Sequence, residues 1–209
     1  MTDSYQIEDQ CSVVRRFPEN IRHINNPTER VCLEAVSQDG YALQYIEDQT
    51  RTIISAALIQ DPTSLHFVTD QTEEICLEAV KLGGHALLYV REQTEEICTE
   101  AVKQNGMVVT YVINQTREIL LEAVRQEGLA LCDIKEQTEE ICLEAVRNNS
   151  HALEYVTDQT PEICFEAIEG YAYNPIDLIV YIRDLEMRDH VKQYVEKKRF
   201  MRTKSAKRE

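Results

Sequence analysis

The 209-residue chain is 43% hydrophobic, lacks Trp and holds only six Gly and five Pro, the composition of a folded protein without a long flexible linker. No run of about 18 apolar residues is present, which excludes a membrane-spanning helix. The formal charge of −15 is uneven: residues 190–209 carry eight basic against two acidic side chains, a net +6, leaving −21 on the first 189.

The N-terminal "MTDSYQIEDQ" has no basic segment followed by an apolar run, so no secretory signal is expected. Seven cysteines, an odd number with no CxxC pair, fit reduced thiols in an intracellular compartment. Residues 1–20, including "CSVVRRF", are expected to form the polar-faced cap that terminal repeats require. "IRHINNPT" (21–28) aligns with the later "LEYVTDQT", so residues 1–27 comprise a cap and a partial repeat.

Residues 28–173 repeat with a period of 22. Thr28, Thr50, Thr72, Thr94, Thr116, Thr138 and Thr160 open seven units, the last incomplete. With Thr as position zero, position seven is always Ala (Ala35 to Ala167), and position fifteen is Leu or Val except at Pro175. Apolar residues at positions three, four, seven and eight make one face of an amphipathic helix. Thr suits its N-cap, Pro161 its first turn, and pairs such as Glu73–Glu74 the positive end of its dipole. Gly40, Gly84, Gly106 and Gly128 at position twelve are expected to end it in the left-handed conformation. A second helix of about seven residues then runs to the next Gln-Thr. Such short helices persist only by stacking, so the fold class is an all-α solenoid of helix-turn-helix repeats.

Two rivals share parts of the pattern. Six turns of about 3.67 residues also make 22, so one continuous lipid-binding helix keeps the same phase. "MVVTYVI" (107–113) is strand-like, as in a leucine-rich repeat. The recurring Gly and Thr oppose the first, and "HALLYV" and "HALEYV" in the same slot oppose the second. "QTEEICLEAV" units followed by "ALxYV" resemble the 22-residue helical repeats of uncharacterised proteins abundant in giant DNA viruses. The resemblance spans about residues 21–170. It implies an all-α repeat protein and a viral origin, hence host cytoplasm or viral factory, and it brings no activity.

After the repeats, Asn174 as cap, Pro175 and Asp177 open a longer capping helix expected over 174–200, followed by a disordered basic tail, 201–209.

No catalytic, cofactor or metal constellation emerges. Cys32, Cys76, Cys98, Cys142 and Cys164 fall on the core face one per repeat. Helices about 8–10 Å apart are too distant for disulfides and supply too few ligands for zinc. The histidines are expected to be isolated surface imidazoles. Glu at position six is expected opposite the core, pairing within its helix with the basic residue three later. Gln at position 21 is expected to form a hydrogen-bonded ladder between units. Position seventeen carries an aromatic column (Tyr45, Phe67, Tyr89, Tyr111, Tyr155) broken by Asp133.

Positions thirteen and sixteen vary within an otherwise strict repeat, which singles out Tyr41, Gln44, His66, His85, Leu88, Met107, Thr110, Leu129, His151 and Glu154 as a candidate partner-binding face. These features suit a non-enzymatic scaffold that binds another protein, with self-association open. The alternative is weak nucleic-acid binding through Lys197, Lys198, Arg199, Arg202, Lys204, Lys207 and Arg208.

Overall fold

A computed structural model of the chain describes residues 2–171 and 176–205. It is all-helical, with no strand among the described residues. The chain divides into two compact units, through Ile113 and from Asn114 onward. The first holds α1 (Thr2–Arg16), η1 (Pro18–His23), α2 (Glu29–Gln38), η2 (Gly40–Tyr45), α3 (Arg51–Gln60), η3 (Pro62–Phe67), α4 (Glu73–Leu82), η4 (Gly84–Tyr89), α5 (Glu95–Gln104) and η5 (Gly106–Tyr111). The second holds α6 (Arg117–Gln126), η6 (Gly128–Asp133), α7 (Glu139–Asn148), η7 (Ser150–Tyr155), α8 (Pro161–Gly170), α9 (Ile176–Ile179) and α10 (Leu185–Ser205). The η elements are 3-10 helices. Within each unit, successive α–η pairs stack on their neighbours as a helical repeat solenoid.

The α-helix starts where the Thr pattern puts it. Thr50, Thr72, Thr94, Thr116, Thr138 and Thr160 are extended, and each side chain accepts from the amide three residues on at 3.3–3.4 Å. Thr28 caps by position without that bond. The apolar face behaves as its spacing requires: all seven position-seven alanines are fully buried, between apolar residues at positions three, four and eight.

The turn differs from the expected one. No described glycine has a positive φ. The residue at position eleven is extended and serves both helices. Its N–H closes the α-helix onto the Ala carbonyl, as in Asp39 to Ala35 and Asn105 to Ala101. Where it is Asp, Asn or Glu its side chain then accepts from an amide of the 3-10 helix, as Asp39 does from Tyr41 and Asn105 from Met107; Gly83 lacks that bond. One residue replaces a linker. Gly at position twelve answers a close approach: a Cβ on Gly84 would lie 2.6 Å from the Ala101 carbonyl oxygen, and one on Gly128 2.5 Å from that of Ala145.

The second helix is 3-10 rather than α. Three residues per turn bury positions fourteen, fifteen and eighteen, as at Ala86, Leu87 and Val90.

The ends also depart from expectation. Residues 1–27 hold a whole unit rather than half of one, because α1 precedes η1 and its Phe17 N–H closes on Val13 as Asp39 does on Ala35. At the other end the single helix expected over 174–200 is two, α9 and α10, broken at 180–184, while its proposed caps, Asn174 and Pro175, lie outside the described residues. The tail expected to be disordered from 201 is helical through Ser205.

Candidate interaction surface

A 3-10 helix superimposes residues three apart, so positions thirteen and sixteen share one face. Tyr41, Gln44, His66, His85, Leu88, Met107, Thr110 and Glu154 are exposed there, and Leu129 and His151 are half-buried. Each unit presents its own rows.

Two of the histidines, His66 and His151, are not isolated but pack against aromatic rings. His66 lies 4.9 Å from the Phe67 ring and 5.0 Å from that of Tyr89, while Tyr41 packs edge-on to Phe67 at 5.2 Å and hydrogen-bonds Thr63. In the second unit His151 meets Tyr171 at 5.3 Å and Tyr181 at 6.1 Å. The column at position seventeen is half-buried, with Tyr155 more open. Sequence reasoning missed these cross-repeat ring contacts, because position thirteen or sixteen meets position seventeen of the next repeat only after stacking.

Beneath this face runs the glutamine ladder. Gln71 Nε2 donates to Leu65 and Tyr89 carbonyls, both at 3.0 Å, and Oε1 accepts from Arg91 N–H at 3.1 Å. Gln49, Gln93, Gln137 and Gln159 bridge to the next repeat in the same way. Cys76, Cys98 and Cys142 donate their thiols to Oε1 of the ladder glutamines. Burial pushes the core thiols up, Cys142 and Cys164 to about 11, so they stay protonated as packing groups.

Glu at position six is half-buried rather than opposite the core, because it sits against the neighbouring repeat. Its pairings mostly cross repeats: Arg125 reaches Glu144 at 3.4 Å and Arg147 reaches Glu166 at 2.9 Å. Lys103–Glu100, at 3.8 Å, keeps the expected intrahelical form. Arg15 bonds Glu34 at 2.7 Å and holds its carboxyl below the usual range.

The basic C-terminal segment is partly engaged. Lys198 pairs with Glu169 at 3.0 Å and lies over the Tyr194 ring, whose hydroxyl also donates to Glu169. The Tyr194 hydroxyl and Lys198 hold the Glu169 carboxyl low. Lys197 is exposed. Arg199, Arg202 and Lys204 belong to α10, and Lys207 and Arg208 lie outside the described residues. No described helix is long and apolar enough to cross a membrane.

Residues 72–117 and 116–160 each match a family model described as Domain of unknown function (DUF4116). Each match spans two of the 22-residue units, so the likeness is to a tandem repeat domain. No curated protein and no solved structure matches the chain.

Proposed function

We propose that the protein is a non-enzymatic α-helical repeat scaffold that binds another protein across the exposed rows of its 3-10 helices. The supporting observation is the split between positions of one short helix. Positions fourteen, fifteen and eighteen are buried and hold a narrow set of apolar or small residues. Positions thirteen and sixteen are largely exposed and hold Tyr, His, Met, Leu, Thr, Gln, Glu and Cys. Residues that serve the stack are restricted, and those that face outward are free to distinguish partners. Leu88 and Met107 add exposed apolar area beside the Tyr41–Phe67–His66–Tyr89 ring cluster, the kind of group that anchors interfaces. The resemblance of the repeats to those of uncharacterised proteins abundant in giant DNA viruses supports a host cell's cytoplasm or viral factory as the setting.

The test replaces Leu88, Met107 and Thr110 by Glu together. These exposed side chains should leave the melting temperature nearly unchanged, while proteins that copurify with the unaltered chain from expressing or infected cells are lost. An unchanged set of copurifying proteins would sink the reading.

A second reading rests on α10, which continues to Ser205 and spaces its cations along a helix. It calls for weak, sequence-independent nucleic-acid binding that falls steeply between about 50 and 200 mM salt and is lost on deleting 190–209. A gel without a shift at low salt removes it.

A further inference from the structure

The glutamine ladder lacks a rung. Position 21 of the first junction is Pro27, whose side chain can neither donate nor accept a hydrogen bond. The groups a carboxamide engages elsewhere are the carbonyl of position seventeen and the N–H of position nineteen. At this junction they are Tyr45 O and Glu47 N–H, and neither bonds another group among the described residues. Cys32, whose counterparts donate to glutamine oxygens, turns its thiol to the Pro27 carbonyl at 3.9 Å.

A cleft of about 560 Å³ opens there, lined by Ile21, Ile24, Pro27, Cys32, Tyr45 and Glu47 among others. The equivalent cleft beside Gln71 is about 350 Å³, and none of the buried residues of positions fifteen and eighteen (Leu65, Val68, Val90) lines it. At Gln71 the glutamine covers that apolar floor. At Pro27 the corresponding Ile21, Ile24 and Ile46 line the cleft, and Ile24 is half-buried where Val68 and Val90 are buried. The cleft runs into a neighbouring one of about 490 Å³ that shares Arg22, Tyr45, Ile46 and Glu47.

We propose that this cleft binds the primary carboxamide of a glutamine side chain presented by another polypeptide, which completes the ladder in trans. Its NH2 donates to Tyr45 O and its oxygen accepts from Glu47 N–H, as Gln71 does with Tyr89 O and Arg91 N–H. A carboxylate has no donor for Tyr45 O and meets two like charges, Glu47 and Asp48, against the single cation Arg22 in the lining. An ammonium has no acceptor for Glu47 N–H. The two clefts together exceed what free glutamine fills and leave room for a peptide backbone on either side of the side chain. The cleft at Pro27 holds no residue of the variable rows, although Gln44 lines its neighbour, and the carboxamide contacts stand whether or not the rows bind a partner.

The test titrates the full chain, followed by backbone amide NMR, with an N-acetylated, C-methylamidated Ala-Ala-Gln-Ala-Ala peptide. Glutamate and methionine versions and free glutamine run beside it. The Glu47 amide should move downfield with the glutamine peptide, while Arg91 N–H, already bonded to Gln71 and outside both clefts, stays. Binding should be at least about tenfold tighter than for the other three ligands. Pro27→Gln should fill the rung in cis, shift Glu47 N–H downfield without peptide and abolish the response. A still Glu47 amide, an equal response to the glutamate or methionine peptide, or equal binding of free glutamine overturns the proposal. The peptide series on the unaltered chain decides even if Pro27→Gln fails to fold.

Discussion

The junction built by Gln71 in the first unit and that built by Gln159 in the second reach the same contacts from different sequences. Gln71 bridges to Tyr89 O and Arg91 N–H, 18 and 20 residues ahead. Gln159 bridges to Tyr181 O and Arg183 N–H, 22 and 24 ahead. Leu178-Ile179-Val180-Tyr181-Ile182 therefore stands where Ala86-Leu87-Leu88-Tyr89-Val90 does, four residues late. The burial pattern agrees: Leu178, Ile179 and Ile182 are buried and Val180 is 66% exposed, as Ala86, Leu87 and Val90 are buried and Leu88 is 51% exposed. Arg183 then repeats Arg91, each guanidinium bonding carbonyls at the end of the previous 3-10 helix or just after it. The backbone contact is what recurs. The 22-residue period is only its commonest means, and extra chain can be absorbed before the 3-10 segment without losing the rung.

The comparison breaks most visibly if the common core is charged. Ala101→Glu in the first unit and Ala167→Glu in the second each put an unpaired carboxylate at a fully buried site. Each should lower stability by at least about 3 kcal/mol, read as loss of the cooperative circular dichroism transition. An unchanged melting temperature would place that alanine outside the core.

Equivalence of the shifted slot is sharpened by truncation. Leu87→Ala and Ile179→Ala should each cost about 2–4 kcal/mol in urea unfolding. A negligible effect for Ile179 would mean that the four-residue displacement is not a true counterpart.

The rungs themselves are smaller terms. Gln71→Ala and Gln159→Ala each strand a carbonyl and an N–H, expected to lose about 1–3 kcal/mol. Hydrogen exchange should accelerate at Arg91 and Arg183 respectively. Unequal losses would show that the late junction leans on other contacts.

The smallest effect is in alkali. The folded state holds the Cys142 and Cys164 protons up to about 11, whereas an unfolded thiol releases its proton near 9. The stabilisation is therefore complete below about pH 9 and is lost as pH rises toward 11. Cys142→Ala with Cys164→Ala should flatten that decline. A slope unchanged by the substitutions assigns it to other groups.

The period, the Thr caps, the alanine stripe and the ladder glutamines were legible in the sequence, because each depends on spacing within one repeat or on strict recurrence. The outward position of most of the variable residues was legible for the same reason: apolar residues at fourteen, fifteen and eighteen leave thirteen and sixteen free. The ion pairs were not. Arg147 can meet either Glu144 within its helix or Glu166 on the next, and only the stacking distance chose Glu166.

The sequence by itself determined that the chain is a tandem array of short helices, since periodic apolar residues and caps act through local geometry that each repeat carries alone. Tertiary structure decided how each repeat turns and closes. The next repeat's Ala carbonyl crowds the turn at Gly84 and Gly128, and at most junctions a glutamine carboxamide takes the last carbonyl of the 3-10 helix, as Gln71 does that of Tyr89. Those forces exist only between neighbours. For the same reason Ile179, out of phase by four residues, fills a core slot that the period assigns to Pro175, and Pro27 leaves a cleft whose depth no spacing reveals.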